Sequence, residues 1–152
     1  MDTQRHKIAL SILQIIPSIM RILAAELRQT ETPLLVPQLG ALTLLAENSY
    51  NLSELAELHG VSLPTMSSTM SKLAEAGWVE RQRSKKDRRV VMLALTPAGR
   101  EILNEIGQKM INHIAANLKD VPNSDLLTLQ SGLQVLQTIF VPFVFRRDAT
   151  SA

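Results

Sequence analysis

The chain has 152 residues, 45% of them hydrophobic and 20% charged, with a formal net charge of +2. That balance supplies apolar material for one folded core and argues against global disorder. With only 3% aromatic residues the core must be mostly aliphatic, and the lack of any cysteine excludes disulfides, thiolate metal sites and cysteine-based redox sensing.

Residues 6–30 read as a long helix, because Ile8, Ile12, Ile15, Ile16, Ile19, Ile22, Leu23 and Leu27 recur at helical spacing. Leu10, Leu13 and Met20 fall on other sides, so this helix needs cover on more than one face. Pro17 is expected to kink it. Gln14, Pro17, Ser18 and Arg21 interrupt the apolar run and no small-residue cleavage site stands out. The segment is therefore read as neither signal peptide nor membrane span, and a cytoplasmic protein with no membrane partner is expected. A loop follows, and residues 36–47 form a second helix with Pro37 near its first turn.

Ser53 is the expected N-cap of a short helix over 54–59 that Gly60 ends. Tyr50, beside Asn48 and Asn51, reads as a loop residue. Ser62 caps a helix over 63–76, with Gly77 just past its end. Leu63, Met66, Met70 and Leu73 should face the core. Residues 78–83 and 89–95 read as strands of a hairpin joined by a basic loop, and Trp78, at the helix-to-strand junction, reads as core. Thr96 and Pro97 open a helix to about residue 118, and Ser124 caps a last helix to about residue 145. Leu126, Leu129, Leu133, Leu136, Ile139, Phe140, Phe143 and Val144 form a broad apolar stripe on that helix. Such stripes on both terminal helices exceed what a small domain must bury, which predicts a homodimer. The tail, 146–152, is expected to fray.

Charge is concentrated rather than large. Arg81, Arg83, Lys85, Lys86, Arg88 and Arg89 crowd one segment and only Asp87 opposes them, so the remainder of the chain is net acidic. A charge run alone usually marks a solvated loop. Here it follows helix, turn and helix, an order that puts one helix in a DNA groove and a charged loop on the backbone beside it. The 63–76 helix leaves Pro64, Thr65, Ser67, Ser68, Ser71 and Lys72 outward, and has no acidic residue before Glu75 to repel phosphates.

The motifs Leu52-Ser53-Glu54-Leu55-Ala56, Gly60-Val61-Ser62, Leu73-Ala74-Glu75-Ala76-Gly77-Trp78-Val79-Glu80-Arg81, and Asp87-Arg88-Arg89 followed by Leu93-Ala94-Leu95-Thr96-Pro97-Ala98-Gly99 resemble those of the MarR family of winged helix-turn-helix regulators. The resemblance implies a mainly α fold with a small β-hairpin wing. A dimerisation helix would span 1–35, a winged helix-turn-helix lobe 36–99, and C-terminal dimerisation helices 100–152, within one structural domain. It implies that Arg89 enters a minor groove, that Asp87 holds that arginine or a neighbour, and that Lys85, Lys86 and Arg88 neutralise phosphates. The recognition helix would meet the major groove of double-stranded DNA through Thr65, Ser67, Ser68 and Lys72, at a pseudo-palindromic operator. The family often carries arginine at the position of Ser68, and serine there removes a bidentate base contact. Family members typically bind phenolic or lipophilic effectors, usually releasing DNA. The corresponding pocket here would draw on Ile16, Met20, Leu23, Leu44 and Met110, with Arg21 or His113 as polar anchors.

Two other classes compete. An interaction module could keep the fold without specific DNA reading, which Ser68 and the modest overall charge favour. An enzyme would need a catalytic set, and the sequence offers no Ser-His-Asp or Cys-His group and no phosphate-binding glycine loop. The scattered histidines His6, His59 and His113 nominate no metal site, and no cofactor is implied.

Overall fold

A computed structural model describes residues 3–29, 31 and 33–145, with the side chains of 141–145 outside the description. The elements in order are α1 (Thr3–Arg28), α2 (Val36–Glu47), β1 (Tyr50–Asn51), α3 (Leu52–His59), α4 (Leu63–Glu75), β2 (Val79–Arg83), β3 (Val91–Leu95), α5 (Pro97–Asn117) and α6 (Asn123–Phe145). The chain divides into two compact units between Ile111 and Asn112.

The core of the first unit is aliphatic, as the composition requires. Leu27, Leu42, Leu55, Met66, Met70, Leu73 and Ile106 are its largest fully buried side chains, contributed by α1 to α5. On α4 the i, i+4, i+7 stripe of Met66, Met70 and Leu73 is buried as expected. Leu63, expected with them, is 48% exposed, because it is the first residue of the helix, one turn short of the covered part of the stripe. Trp78 is half-buried and packs against the core.

The helix-turn-helix is shaped by two caps. Gly60 ends α3 at φ 66°, the left-handed region, and its N–H reaches the carbonyls of Ala56 and Glu57. A side chain there would strain the backbone by about 1 kcal/mol. Ser62 then opens α4 by accepting from Thr65 N at 3.3 Å. At the start of α3 the sequence expectation needs correction. The N-cap is Asn51 rather than Ser53: Asn51 Oδ1 accepts from Glu54 N at 2.9 Å, and Glu54 Oε2 accepts from Asn51 N at 2.8 Å. This reciprocal box satisfies two backbone donors that a cap two residues later would leave unpaired. Replacing Asn51 with alanine is expected to cost about 1 kcal/mol, read as a lower urea midpoint at unchanged slope. No shift of midpoint would show that the box contributes nothing.

Asn51 also forms, with Tyr50, a third strand where the sequence suggested only loop. The sheet order is β1-β3-β2, all antiparallel. Tyr50 pairs with Leu93 and Asn51 with Met92, while β2 pairs Val79 with Leu95 and Arg83 with Val91. The hairpin strands are also shorter than expected, because the backbone at Arg89 turns back on Asp87 before pairing begins.

Helix α1 runs unbroken through Pro17, and of its residues only Leu27 is buried. It is long and apolar enough, by length and composition alone, to cross a membrane, so the four interrupting residues do not disqualify it on that count. Ile8, Leu10, Leu13, Ile15, Ile16, Ile19 and Met20 are all exposed.

In the second unit α6 begins at Asn123, so Ser124 lies inside the helix. The Pro122 carbonyl accepts from Asp125 N and Leu126 N, each at 3.0 Å. Leu129, Leu133, Ile139 and Phe140 of the expected stripe are exposed and Leu136 is half-buried. The side chains of Phe143 and Val144, and the tail from residue 146, lie outside the described residues.

Candidate nucleic-acid interface

The basic hairpin loop is organised by its own side chains. Ser84 Oγ accepts from Lys86 N at 3.2 Å and from Asp87 N at 3.5 Å. Ser84 N donates to Val90 O at 2.9 Å, and Val90 N to Asp87 O at 3.0 Å. Arg83 Nη1 reaches the Arg88 carbonyl at 3.5 Å. The sequence reading passed over Ser84, although a serine three residues before an aspartate in a turn is a recognisable signal of such bonding.

Within that frame Asp87 grips Arg89. Asp87 Oδ1 accepts from Arg89 N at 3.0 Å and from Nε at 3.2 Å, and Oδ2 accepts from Nη2 at 3.2 Å. The fork-to-fork geometry fixes the guanidinium plane, yet the Arg89 side chain remains 91% exposed. It is held and presented at once. The hydrogen bond from the Arg89 side chain, then that from its backbone, lowers the Asp87 carboxyl below the ordinary carboxylate range. A lowered folded-state value means the pair is intact above the ordinary range and is lost only as pH falls through the lowered value. The grip therefore persists throughout neutral pH.

Helix α4, nominated as the recognition helix, packs against strand β2 of the hairpin that carries this loop. Ser67 shares a cleft with Arg81 of β2, Val91 and Leu93 of β3, and Leu52 of α3. A second cleft runs between the start of α2 and α4, lined by Leu35, Pro37, Gln38, Pro64, Thr65, Ser68, Thr69 and Lys72. Pro64, Thr65, Ser68 and Lys72 are exposed, whereas Ser67 and Ser71 are half-buried. On β2 and the loop that follows it, Arg81, Arg83, Lys85, Lys86 and Arg88 are all exposed, and Arg83, Ser84, Lys85 and Arg88 line a polar hollow. The thirteen residues nominated on the recognition helix and wing thus lie on neighbouring elements of one compact unit.

The nominated effector residues are less unified. Leu23, Leu44 and Met110 are half-buried and pack against the core. Ile16 and Met20 are exposed on α1, and Arg21 is exposed with Nη2 donating to Ser18 Oγ at 3.0 Å. His113 belongs to the second unit. The clefts beside α4 and the wing are lined by other residues.

Residues 36–91 match the model of the MarR family. Over 102 residues the chain is 28% identical to the HTH-type transcriptional regulator YfiV of Bacillus subtilis (strain 168), covering 66% of this chain and 64% of that one. The chain thus spans less than two thirds of that relative's length. Among solved structures, RV1404 from Mycobacterium tuberculosis superposes with a TM-score of 0.81 at 21% identity, over 91% of this chain and 95% of that one. FabT from Streptococcus pneumoniae, solved in complex with DNA, gives 0.71 at 20% identity, over 92% and 99%. NadR, solved in complex with 4-hydroxyphenylacetate, gives 0.64 at 25% identity, over 87% and 96%.

Proposed function

The chain belongs to the MarR family of winged helix-turn-helix transcriptional regulators, and from that premise we propose that it is a homodimeric repressor of a pseudo-palindromic operator, released by a small phenolic or lipophilic effector. The observation that carries the DNA part is the presented arginine. Arg89 is gripped by Asp87 and exposed, on a cationic loop whose hairpin packs against a helix with no acidic residue before Glu75. A narrow minor groove attracts such a guanidinium, and the flanking lysines suit phosphates.

The dimer rests on the exposed apolar surface of α1 and, separately, of α6. Contiguous apolar patches of this kind mark association surfaces. A two-fold dimer presents two recognition helices to half-sites about one helical turn apart. The effector part rests on the family and on NadR, whose bound 4-hydroxyphenylacetate is a phenol of the proposed class. Within the first unit, Ile16, Met20, Leu23, Leu44 and Met110, with Arg21 as anchor, are the residues we assign to it.

Sedimentation velocity followed by hydroxyl-radical footprinting upstream of the protein's own gene tests this reading. A dimer and paired protections about 10 base pairs apart are expected; a monomer, or no protection, would contradict it. Addition of 4-hydroxyphenylacetate, then of a fatty acid, should erase the footprint, and insensitivity to both would reject the effector. Replacing Lys85 and Lys86 together with alanine is expected to weaken binding to specific and random duplexes alike. The slope of log affinity against log salt should fall by about 2 for each wing. A slope equal to the parent's would show that these lysines meet no phosphate.

A further inference from the structure

The hydrogen bonds of α4 are distributed in a way that bears on what the protein reads in DNA, granted the DNA-binding reading above. The polar face of this helix carries five hydroxyls, from Thr65, Ser67, Ser68, Thr69 and Ser71, and one cation, Lys72. Two of the hydroxyls are already engaged. Thr65 Oγ1 lies 2.8 Å from Ser62 Oγ, and Thr69 Oγ1 donates to the Thr65 carbonyl at 3.0 Å. Ser67 and Ser71 are half-buried on the flank. Pro64, Ser68 and Lys72 follow one another at four-residue intervals, so they stand in one row on the exposed side. Of that row only Ser68 and Lys72 offer polar groups.

Neither supplies much discrimination. A serine hydroxyl is one donor with two acceptor lone pairs on a free rotor, so it satisfies any base edge. A lysine is a flexible point charge that serves phosphate as readily as guanine. The planar side chains that read a base edge with two bonds in fixed geometry are arginine, asparagine and glutamine, and residues 63–75 contain none of them, which leaves Lys72 as the one group there able to bridge a guanine's two acceptors. The wing is the opposite case: of its four forked donors Arg89 is the one that Asp87 grips by two side-chain bonds, and the backbone beside it is pinned by Ser84 and Val90.

We infer that sequence preference in this protein resides in the wings, which select short A·T-rich tracts of narrow minor groove at the operator flanks, while α4 docks in the major groove with little base discrimination. Arg89 is then the principal specificity residue, and Lys72 restricts at most one base pair per half-site.

Selection of duplexes from a random pool by the full-length protein, followed by base-analogue exchange in the recovered site, tests this. Diaminopurine·thymine keeps the major-groove face of A·T but adds a minor-groove amino group. Inosine·cytosine does the reverse, keeping the minor-groove face and changing the major. Diaminopurine in the flanking tracts is expected to cut affinity about tenfold or more, and inosine·cytosine there about twofold. Exchanging single pairs under α4 should cost about threefold or less, except opposite Lys72. Arg89→Lys, which keeps the charge, should flatten the flank preference, whereas Ser68→Ala should leave the selected sequence unchanged. Tenfold losses at several positions under α4, with flanks indifferent to diaminopurine, would overturn the inference while leaving DNA binding intact. A pool in which nothing enriches would overturn the DNA-binding reading itself, and this inference with it.

Discussion

Replacing Arg89 with alanine is expected to reduce operator affinity about a hundredfold, with folding unaffected. The side chain is almost wholly exposed and its polar contacts are with Asp87, so its removal creates no cavity and breaks no core contact. An arginine that enters a groove contributes on the order of 1–3 kcal/mol, and a dimer loses two of them. The companion variant separates presentation from charge. Asp87→Asn keeps Arg89 but replaces the charged fork by a single weaker acceptor. It also removes a negative charge beside the phosphates, so the two effects oppose each other and a loss of only about threefold is expected, with a slightly steeper salt dependence. Titrations of both variants by fluorescence anisotropy, with thermal melts as the control for folding, check this. Equal affinities of parent and Arg89→Ala would remove the wing from the interface.

The largest expected effect on stability belongs to Gly99. Its N–H donates to Thr96 Oγ1 at 3.0 Å, and that hydroxyl donates to the Gly77 carbonyl at 2.6 Å. Thr96 N donates to the Trp78 carbonyl at 3.0 Å. These bonds draw the start of α5 onto the turn between α4 and β2. A Cβ on Gly99 would stand 2.1 Å from the Trp78 carbonyl oxygen and 2.8 Å from Leu95 Cδ1. Backbone on one side cannot yield as a flexible side chain can, so Gly99→Ala should cost about 3 kcal/mol, at the upper end of ordinary overpacking. For a chain of this size that lowers the melting temperature by about 10 °C. Gly107 is the internal control. It lies in the same helix with nothing within 4 Å of an added Cβ, so Gly107→Ala should raise stability by about 0.5–1 kcal/mol through helix propensity. Similar melting temperatures for Gly99→Ala and the parent would show that the joint is looser than its bond lengths imply.

The elements with strong periodic or capping signals were legible in the sequence, and those defined by a partner were not. Met66, Met70 and Leu73 announced their burial by spacing alone, and Gly60 and Ser62 announced the turn between α3 and α4 by residue type. The strand at Tyr50 and Asn51 is two residues long and exists because β3 offers an edge, which no local pattern can encode. Asn51 and Ser53 are both good caps by residue type, and the sequence pointed to Ser53. Only the reciprocal bond from Glu54 decides between them. The Asp87–Arg89 pair was nominated from the resemblance, but its bidentate form and the part played by Ser84 depend on the path of the loop. Gly99 looked like a motif residue with no stated reason, and the reason is a carbonyl twenty-one positions earlier, at Trp78. The effector residues were the hardest to read, because apolar side chains at helical spacing look the same whether they line a cavity or, like Leu23, Leu44 and Met110, pack against the core.

As proposed, this winged helix binds DNA selectively through charge presented at the wing. The most direct measurement is fluorescence anisotropy with a duplex from upstream of the protein's own gene against a scrambled duplex of equal composition, across a salt series. Tighter binding to the upstream duplex is expected at every salt concentration, with a steep fall in affinity for both as salt rises. Equal, weak binding to both duplexes, with little response to salt, would contradict it.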